Sequence, residues 1–487
     1  MRSSTATLEH MKLVVTKMDG DGDKPSLILN KFSKHKHDDD EDKPSLNLNE
    51  FSKHKDAFQS VTKVNSRRNP TLAQSSKTLR AAITRTALYP FFASPEHMPN
   101  RPNDERRAAM LTSLEAKSAQ HTLDSIDISN FPLDDILQLG PRGAPRLAAV
   151  IQQCPQLRSL TLVDTGVRQW REIALALASC PELERVDFSC NRIVNPGFSY
   201  PLLCISLQHH NKLSDIDFSE CSLSFHSSFL ATACSRCPAL TKLNVSGNQL
   251  NGDGNNSLIH ILPACHNLQH LNLSFNGLQT NGHAQVLGYR LRSCTALTHL
   301  DLSRNFFNPD DMTTIALDLV QCTTLRHLSL RGCVFFRGRG LCPFAASGVF
   351  RPLTSLDLSD CDFNFADPAG TQTWPTTPAN LAQLHTDLSQ CTNLTRLNLA
   401  HNRLGDCFLD GFVTTFLPTC TALAHLDLEN TEIRNMGTRR LARLLPRIPN
   451  LVDLNLSTNN LNAETVADVR QAWVRTHAHA HGLRMDA

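Results

Sequence analysis

Residues 297–307 read LTHLDLSRNFF, and this stretch decides the fold. Leucines stand at its first, fourth and sixth places, and an asparagine stands at its ninth. Counting from the first leucine gives every residue of such a stretch a position, and these positions are used throughout. Side chains in a strand alternate between two faces, so positions four and six point one way and position five points the other. The stretch therefore predicts a short strand with one buried face.

The stretch recurs along the chain, and Leu297, Leu325 and Leu353 open successive copies at intervals of 28 residues. Between copies, segments such as 310–322 and 407–420 space apolar residues at helical intervals. A single strand–helix unit cannot bury its apolar face alone, so the units must stack with parallel strands side by side. The sequence predicts an α/β solenoid of about twelve strand–helix repeats, which open at Leu123, Leu157, Leu183, Leu213, Leu240, Leu268, Leu297, Leu325, Leu353, Leu394, Leu423 and Leu451.

Composition divides the chain into four predicted parts. Residues 1–75 are polar, lack periodicity and repeat the segment DKPSLILNKFSKHK (23–36) as DKPSLNLNEFSKHK (42–55), so we expect them to be disordered. Residues 76–120 have helix-compatible spacing and are predicted to cap the solenoid, which covers 121–462. Residues 463–487 are predicted to form a capping helix and a frayed, His-rich tail that contains His477, His479 and His481.

Eleven of the sixteen cysteines recur at two fixed positions of the repeat. Cysteines placed to form disulfides would not be expected to show this periodicity. Eight of them stand three residues before an opening leucine, as Cys294 does before Leu297, and three others take position nine. We interpret them as small apolar residues in equivalent buried places. Reduced, buried cysteines indicate the cytoplasm.

Position nine alternates between asparagine and cysteine, and a buried asparagine there can satisfy backbone groups left by the turn. This alternation, the period of about 28 residues and the intervening helix resemble the ribonuclease-inhibitor type of leucine-rich repeat. The resemblance covers roughly 123–461. It implies a curved horseshoe with strands on the concave side and protein binding as the usual activity.

The predicted concave face is polar, and positions three and five set its character. We expect its polar side chains to supply specificity for an unknown partner protein, whereas the leucines supply only shape. The candidate binding residues at position five are Asp187, Asp217, Asp301 and Asp357, and those at position three are His270, His299, His327 and Arg396.

Two features depart from this plain surface. His270, His299 and His327 fall on consecutive repeats, which favours a partner contact over a metal site. The unit that opens at Leu353 carries an insertion, DPAGTQTWPTTP (367–378), whose prolines predict a projecting loop. Trp374 in that loop is a candidate interface anchor.

No cluster in the sequence predicts catalysis, a cofactor or a small-molecule substrate. Lys plus Arg number 48 against 46 Asp plus Glu, which does not indicate a nucleic-acid partner. No apolar run approaches the length of a membrane span. The prediction is a non-enzymatic, cytoplasmic interaction scaffold. Two alternatives remain open: a regulatory or activating partner of a small GTPase, and a bacterial effector exported into a host cell.

Overall fold

The computed structural model describes residues 112–119, 123–130, 143–167, 170–193, 199–223, 227–250, 262, 265–278, 283–333, 348–363, 385–386, 388–477 and 482–486. They all belong to one compact unit that includes residues 109–487. The predicted disordered segment 1–75 lies outside the described residues. So does most of the predicted N-terminal cap, of which residues 112–118 are helical.

A parallel sheet of thirteen strands follows chain order from one end of the unit to the other. Twelve strands occupy positions three to five of the twelve predicted repeats, which confirms the solenoid. The strands are β1 (Ser125–Asp127), β2 (Ser159–Thr161), β3 (Arg185–Asp187), β4 (Asp215–Asp217), β5 (Lys242–Asn244), β6 (His270–Asn272), β7 (His299–Asp301), β8 (His327–Ser329), β9 (Ser355–Asp357), β10 (Arg396–Asn398), β11 (His425–Asp427), β12 (Asp453–Asn455) and β13 (Gly482–Arg484).

Helices connect many of the strands and pack against one another on the other side of the core. Within the described residues, no helix is both long enough and apolar enough to cross a membrane. The helices are α1 (Gly143–Gln152), α2 (Trp170–Leu177), α3 (Ser199–Leu207), α4 (Ser227–Cys234), α5 (His283–Leu291), α6 (Pro309–Leu319), α7 (Gly405–Gly411), a π-helical turn (Phe412–Phe416), α8 (Asn435–Leu444), a 3₁₀ turn (Leu445–Arg447) and α9 (Ala463–Thr476).

Neighbouring strands pair position for position. Leu300 of β7 lies opposite Leu271 of β6 and Leu328 of β8, and all three are buried. Leu297 and Leu302, at positions one and six of the same repeat, are completely buried as well. Each buried leucine stabilises the fold by roughly 1.5–3 kcal/mol. The core is therefore a ladder of leucines between the sheet and the helices.

The asparagines at position nine form a second ladder, as the sequence predicted. The amide oxygen of Asn248 accepts hydrogen bonds from the backbone N–H groups of Cys221 (2.9 Å) and Leu223 (3.1 Å). Its amide nitrogen donates to the carbonyl oxygens of Phe218 (2.7 Å) and Val245 (2.9 Å). One side chain thus satisfies backbone groups of two repeats, because an amide carries both donors and an acceptor.

Position eight is in the left-handed region in all twelve predicted repeats, with φ between 51° and 69°. Glycine, which adopts this conformation most easily, stands there only twice. The turn after each strand therefore strains its backbone, and burial of the ladder must offset that cost. The residues at this position are Asn130, Asp164, Cys190, Glu220, Gly247, Phe275, Arg304, Gly332, Asp360, His401, Asn430 and Thr458.

The eight cysteines before the opening leucines are buried, as predicted, but they do more than fill space. The thiol of Cys294 donates to the carbonyl oxygen of Leu262 (3.5 Å) in the preceding unit, and the thiol of Cys322 donates to that of Leu291 (3.3 Å). Each of these carbonyl oxygens also accepts a backbone N–H, from Cys265 (2.9 Å) and Cys294 (2.8 Å), so the thiol adds a second hydrogen bond that links neighbouring repeats. Among the described cysteines no disulfide is formed.

The C-terminal tail contains a strand that the sequence analysis missed. Leu483 of β13 pairs with Leu454 of β12, so residues 482–484 act as positions three to five of a thirteenth unit. His477 takes the place of the ladder cysteine, and its Nε2 lies 3.0 Å from the carbonyl oxygen of Ile448. The expectation of a frayed tail was wrong for His477, which is buried. His479 and His481 lie outside the described residues.

Candidate partner-binding surface

Positions three and five share the face of the sheet opposite the leucine core. The register places His270, His299 and His327 side by side on β6, β7 and β8, and it places Asp187 beside Asp217 on β3 and β4. The middle residue of each of the first twelve strands is buried, whereas most of its neighbours remain half-buried or exposed. The strands thus hold a stripe of polar side chains on a rigid base, which we call the concave stripe.

The carboxylates at position five close the turn that follows each strand. Oδ1 of Asp187 accepts hydrogen bonds from the backbone N–H of Ser189 (3.2 Å) and from its hydroxyl (2.7 Å). Asp357 binds Ser359 in the same way, at 2.9 and 2.7 Å. Where position five is asparagine, its amide oxygen takes over, as Asn272 accepts from the N–H of Ser274 (2.9 Å). These residues are therefore part of the fold as well as of the surface, a second role that the sequence pattern did not predict.

Asp217 accepts hydrogen bonds on both of its carboxylate oxygens. Its Oδ1 binds the N–H and hydroxyl of Ser219, and its Oδ2 accepts a hydrogen bond from Asn244 (2.7 Å). Burial raises the pKa of this carboxyl above its ordinary value despite those bonds. Asp187 lies 3.6 Å from the guanidinium of Arg185. Both oxygens of Asp217 therefore accept hydrogen bonds within the protein.

The three imidazoles form a continuous stack at the centre of the stripe. The rings of His270 and His299 lie 4.0 Å apart between centroids with their planes inclined by 21°, and those of His299 and His327 lie 3.9 Å apart and are inclined by 12°. Nδ1 of His299 lies 2.8 Å from the hydroxyl of Thr298. We call these three residues the imidazole stack. The structure therefore brings together the histidines that the sequence singled out.

The stack holds its rings in the neutral form. Partial burial, together with the two flanking imidazoles, lowers the pKa of His299 to about 4, because burial disfavours the charged ring and adjacent positive charges repel one another. Burial also lowers the pKa of His270, where Lys242 adds to the effect. Burial and the guanidinium of Arg396 lower the pKa of His327.

Positive and negative groups flank the stack on different strands. Nζ of Lys242 on β5 lies 4.0 Å from the carboxylate of Asp215 on β4, which also lies 3.8 Å from Arg185. Asp301 binds both the N–H and the hydroxyl of Ser303. Arg396 on β10 is exposed and lies in register with Ser355. A shallow groove of about 450 Å³ runs across the stack, and its lining includes Asp215, Lys242, Asp301 and Ser355. Arg185, Ser303 and Arg396 lie outside that lining.

Metal binding does not fit this arrangement. Across the part of the chain that the structure describes, no group of three or more His, Cys, Asp or Glu side chains is arranged to hold an ion. Metal ligation needs nitrogen lone pairs that converge on one point, whereas stacked rings stand parallel. The surface instead presents separate hydrogen-bond donors, acceptors and charges along the strands.

Some candidate residues escaped the sequence analysis, and one lies beyond the structure. Trp374 and the rest of the insertion at 367–378 are outside the described residues. Arg304 and Asp360, at position eight, approach each other beside the stripe with 3.9 Å between their charged atoms. Nothing in the pattern indicated them, because residues of every kind occupy position eight.

Comparison with known proteins points to one family. The family model "Leucine Rich repeat" matches residues 236–254, 264–282 and 390–406. Ribonuclease inhibitor of Sus scrofa is 26% identical over 333 residues, which cover 67% of this chain and 63% of that protein. Tonsoku-like protein of Mus musculus is 29% identical over 279 residues, which cover 53% of this chain and 20% of that protein. The chain thus matches about a fifth of the length of the mouse protein.

Among solved structures, an internalin of Listeria monocytogenes aligns with a TM-score of 0.46 and 15% identity, over 77% of this chain and 97% of that one. The similarity that carries weight is in the parallel strands in chain order, the asparagine ladder, the family-model matches and the match to ribonuclease inhibitor. The chain has the fold and the repeat pattern of leucine-rich repeats, and its repeats resemble the ribonuclease-inhibitor type.

Proposed function

We propose that this protein is a non-enzymatic scaffold that binds a partner protein through its concave stripe. Leucine-rich-repeat proteins generally act as protein-interaction scaffolds. The observation that carries the proposal is that different residues of the same strand face the core and the solvent. Leu243 anchors β5 in the core, while Lys242 beside it is exposed to solvent. A side chain that is held by a rigid strand and is not needed by the core is preorganised for recognition.

The chemistry of the described residues supports a role in binding. Burial raises the pKa of the ladder thiols, to about 12 in Cys294 and about 11 in Cys322, so they are protonated and unreactive near neutral pH. The carboxylates at position five are committed to turns. Buried thiols of this kind persist in a reducing compartment, which supports a cytoplasmic location. A protein is the proposed partner, because leucine-rich-repeat proteins generally act as protein-interaction scaffolds.

Site-specific crosslinking tests which face binds. A photoreactive amino acid replaces Arg185, Lys242 or Arg396 on the concave stripe, and controls replace the exposed Leu317 of α6 and Val474 of α9. Irradiation in cells followed by mass spectrometry should give one shared partner from the strand sites. Crosslinks to that partner from Leu317 or Val474 alone would place binding on the helices and contradict the proposal.

The charges of the stripe are tested by replacing Asp187, Asp217 and Asp301 together with asparagine. Asparagine closes the same turn at Asn272, so the fold should persist while three charges are lost. Capture of the crosslinked partner should change at least tenfold, because charge complementarity sets specificity. Unchanged capture would mean that these carboxylates do not face the partner. Trp374→Ala tests the insertion separately, and loss of an interface anchor costs about 2 kcal/mol or more.

A further inference from the structure

We infer that the groove over the imidazole stack is the docking site for an acidic, extended segment of the partner, and that docking takes up protons. This inference rests on the proposed function, because it names the chemistry that the concave stripe recognises. It begins with position three of the strands β5 to β10. Those strands carry no carboxylate at position three, and the residues there are Lys242, His270, His299, His327, Ser355 and Arg396.

The size of the row fits a peptide. Strands lie about 4.8 Å apart, so five intervals from Lys242 to Arg396 span about 24 Å. An extended chain advances about 3.4 Å per residue, so about seven residues cover that distance. The cations at the two ends are exposed, and the imidazoles between them line a groove of about 450 Å³. A segment that crosses the strands can therefore place carboxylates on both end charges and on the stack.

The charges around the stack decide how binding depends on pH. The groups that face it are Asp215 and Lys242 on its β4–β5 side, Asp301 on β7 itself, and Asp357 and Arg396 on β9 and β10. With neutral imidazoles these five groups sum to −1, and protonation of all three rings changes the sum to +2. A neutral imidazole donates one hydrogen bond to a carboxylate, whereas an imidazolium donates two and adds a charge.

An acidic ligand should therefore draw protons onto the rings. A carboxylate within about 4–6 Å of an imidazole favours its charged form, and it also offsets the repulsion between stacked rings. The pKa of the rings then rises on binding. At pH values between the pKa of the rings in the free protein and their pKa in the complex, binding takes up protons. Affinity therefore increases as the pH falls through that range. A rise of one pKa unit on one ring changes the dissociation constant by at most about tenfold.

Rhodamine-labelled hexa-aspartate is a suitable probe, because its carboxyl groups stay ionised well above their ordinary pKa of about 3.9. Fluorescence anisotropy with the whole protein at constant ionic strength should show binding about tenfold tighter at pH 5.5 than at pH 7.5. Calorimetry at pH 6 in buffers of different ionisation enthalpy should detect proton uptake. Binding that does not change with pH, or no binding at pH 5.5, would overturn the inference.

Two sets of variants locate the effect. Replacing His270, His299 and His327 with glutamine should abolish the pH dependence, while the exposed His266→Gln should leave it intact. Lys242→Gln should weaken binding at every pH, whereas Arg443→Gln, an exposed control on α8, should not. Because Lys242 is exposed, its variant keeps the test valid even if the triple variant fails to fold. Equal loss in Arg443→Gln and Lys242→Gln would mean unspecific attraction and would sink the inference.

Failure of this inference is distinguishable from failure of the proposed function. If hexa-aspartate does not bind while the strand-site crosslinks to a partner persist, the concave stripe binds a partner of different charge. If the crosslinks come only from helix sites, the proposed function fails as well.

Discussion

The side chain of Arg304 passes directly over Gly332 in the next repeat. A Cβ atom built on Gly332 would stand 3.0 Å from Cγ of Arg304, which is tighter than ordinary contact. Gly332 also has a φ of 64°, a conformation that costs an L-residue roughly 1–2 kcal/mol. Because no side chain intervenes, the guanidinium of Arg304 reaches Asp360 two repeats away, at 3.9 Å.

Gly332→Ala should therefore destabilise the protein more than Gly166→Ala does. Gly166 has nearly the same φ, 63°, but nothing lies within 4 Å of its added Cβ atom. The control isolates backbone strain of about 1 kcal/mol, and the excess in Gly332→Ala measures the clash. Urea denaturation followed by circular dichroism compares the two midpoints. Equal shifts would show that Arg304 moves aside without cost.

Removal of one ladder asparagine should be costly. In Asn276→Ala, the N–H of Asn248 loses its acceptor (2.9 Å). The carbonyls of Val245 and Leu273 each lose one of two donors (3.0 Å each), because the amides of Asn248 and Asn305 still bind them. One unsatisfied buried group costs about 1–3 kcal/mol, so we expect a loss of about 2 kcal/mol. Asn267→Ala, which removes one exposed bond to Pro238, should cost less than about 1 kcal/mol. Thermal unfolding of both variants checks the order.

Thiol labelling should separate Cys407 from the other described cysteines. Cys407 is exposed, while the ladder cysteines are buried. Cys190 is half-buried, and burial together with four neighbouring carboxylates raises its pKa to about 11, so it reacts slowly. In a Cys342→Ser background, an aromatic disulfide reagent should label one thiol quickly, and Cys407→Ser should abolish that phase. Fast labelling of several thiols would contradict the buried ladder.

Stability should decrease as the pH falls below 6.5, partly because of His385. This ring is buried against Gly411 and Phe408, and burial lowers its pKa to about 4. In the unfolded chain the ring binds a proton near pH 6.5, whereas the folded protein holds it neutral. Stability from this group is thus complete above pH 6.5 and declines toward pH 4, by about 2 kcal/mol between pH 6.5 and pH 5.

His385→Asn tests that origin, because asparagine does not titrate. Urea midpoints at pH 7 and pH 5 should differ less in His385→Asn than in the unmodified protein. The exposed His401→Asn serves as the control and should keep the full difference. An unchanged difference in His385→Asn would assign the acid sensitivity to other groups.

Two variants of Asp301 distinguish the charge of the position-five side chain from its role in closing the turn. Asp301→Asn keeps an acceptor for the N–H of Ser303 (2.9 Å), so the urea midpoint should move little. Asp301→Lys removes the acceptor, and a lost hydrogen bond of this kind costs about 1 kcal/mol. Matching midpoints for the two variants would show that the turn does not depend on this bond.

The positions of the repeat explain why so much of the fold was predictable. Leu297 and Leu300 recur with their spacing intact because burial tolerates few other side chains, so the period is visible in one sequence. The register and the three-residue strands follow from that period. The imidazole stack was predictable for the same reason, since His270, His299 and His327 share one position.

Other features of the structure cannot be recognised from the repeat pattern in the sequence. β13 was missed because Ala480 stands where an opening leucine would be, so the thirteenth unit does not match the pattern. The left-handed turn at position eight was invisible because Phe275 and Arg304 stand there as readily as Gly247. The second role of Asp187 was missed because an aspartate that closes a turn and an aspartate that faces solvent look the same in a sequence. The pKa of His299 depends on ring distances that only the structure supplies.

One-to-one register between repeats has an evolutionary consequence. Within each unit, the leucines and the asparagine contact the neighbouring units, whereas the residue at position three faces solvent. A substitution at position three therefore leaves the contacts between units in place. The imidazole stack exists only because three consecutive units happen to carry histidine. Inserting one 28-residue unit between β7 and β8 would leave every leucine and asparagine with an equivalent neighbour, yet it would part His299 from His327 by a whole strand. Insertion or loss of whole repeats by recombination can therefore change which side chains meet at the binding surface, while the leucine and asparagine ladders that stabilise the solenoid are kept.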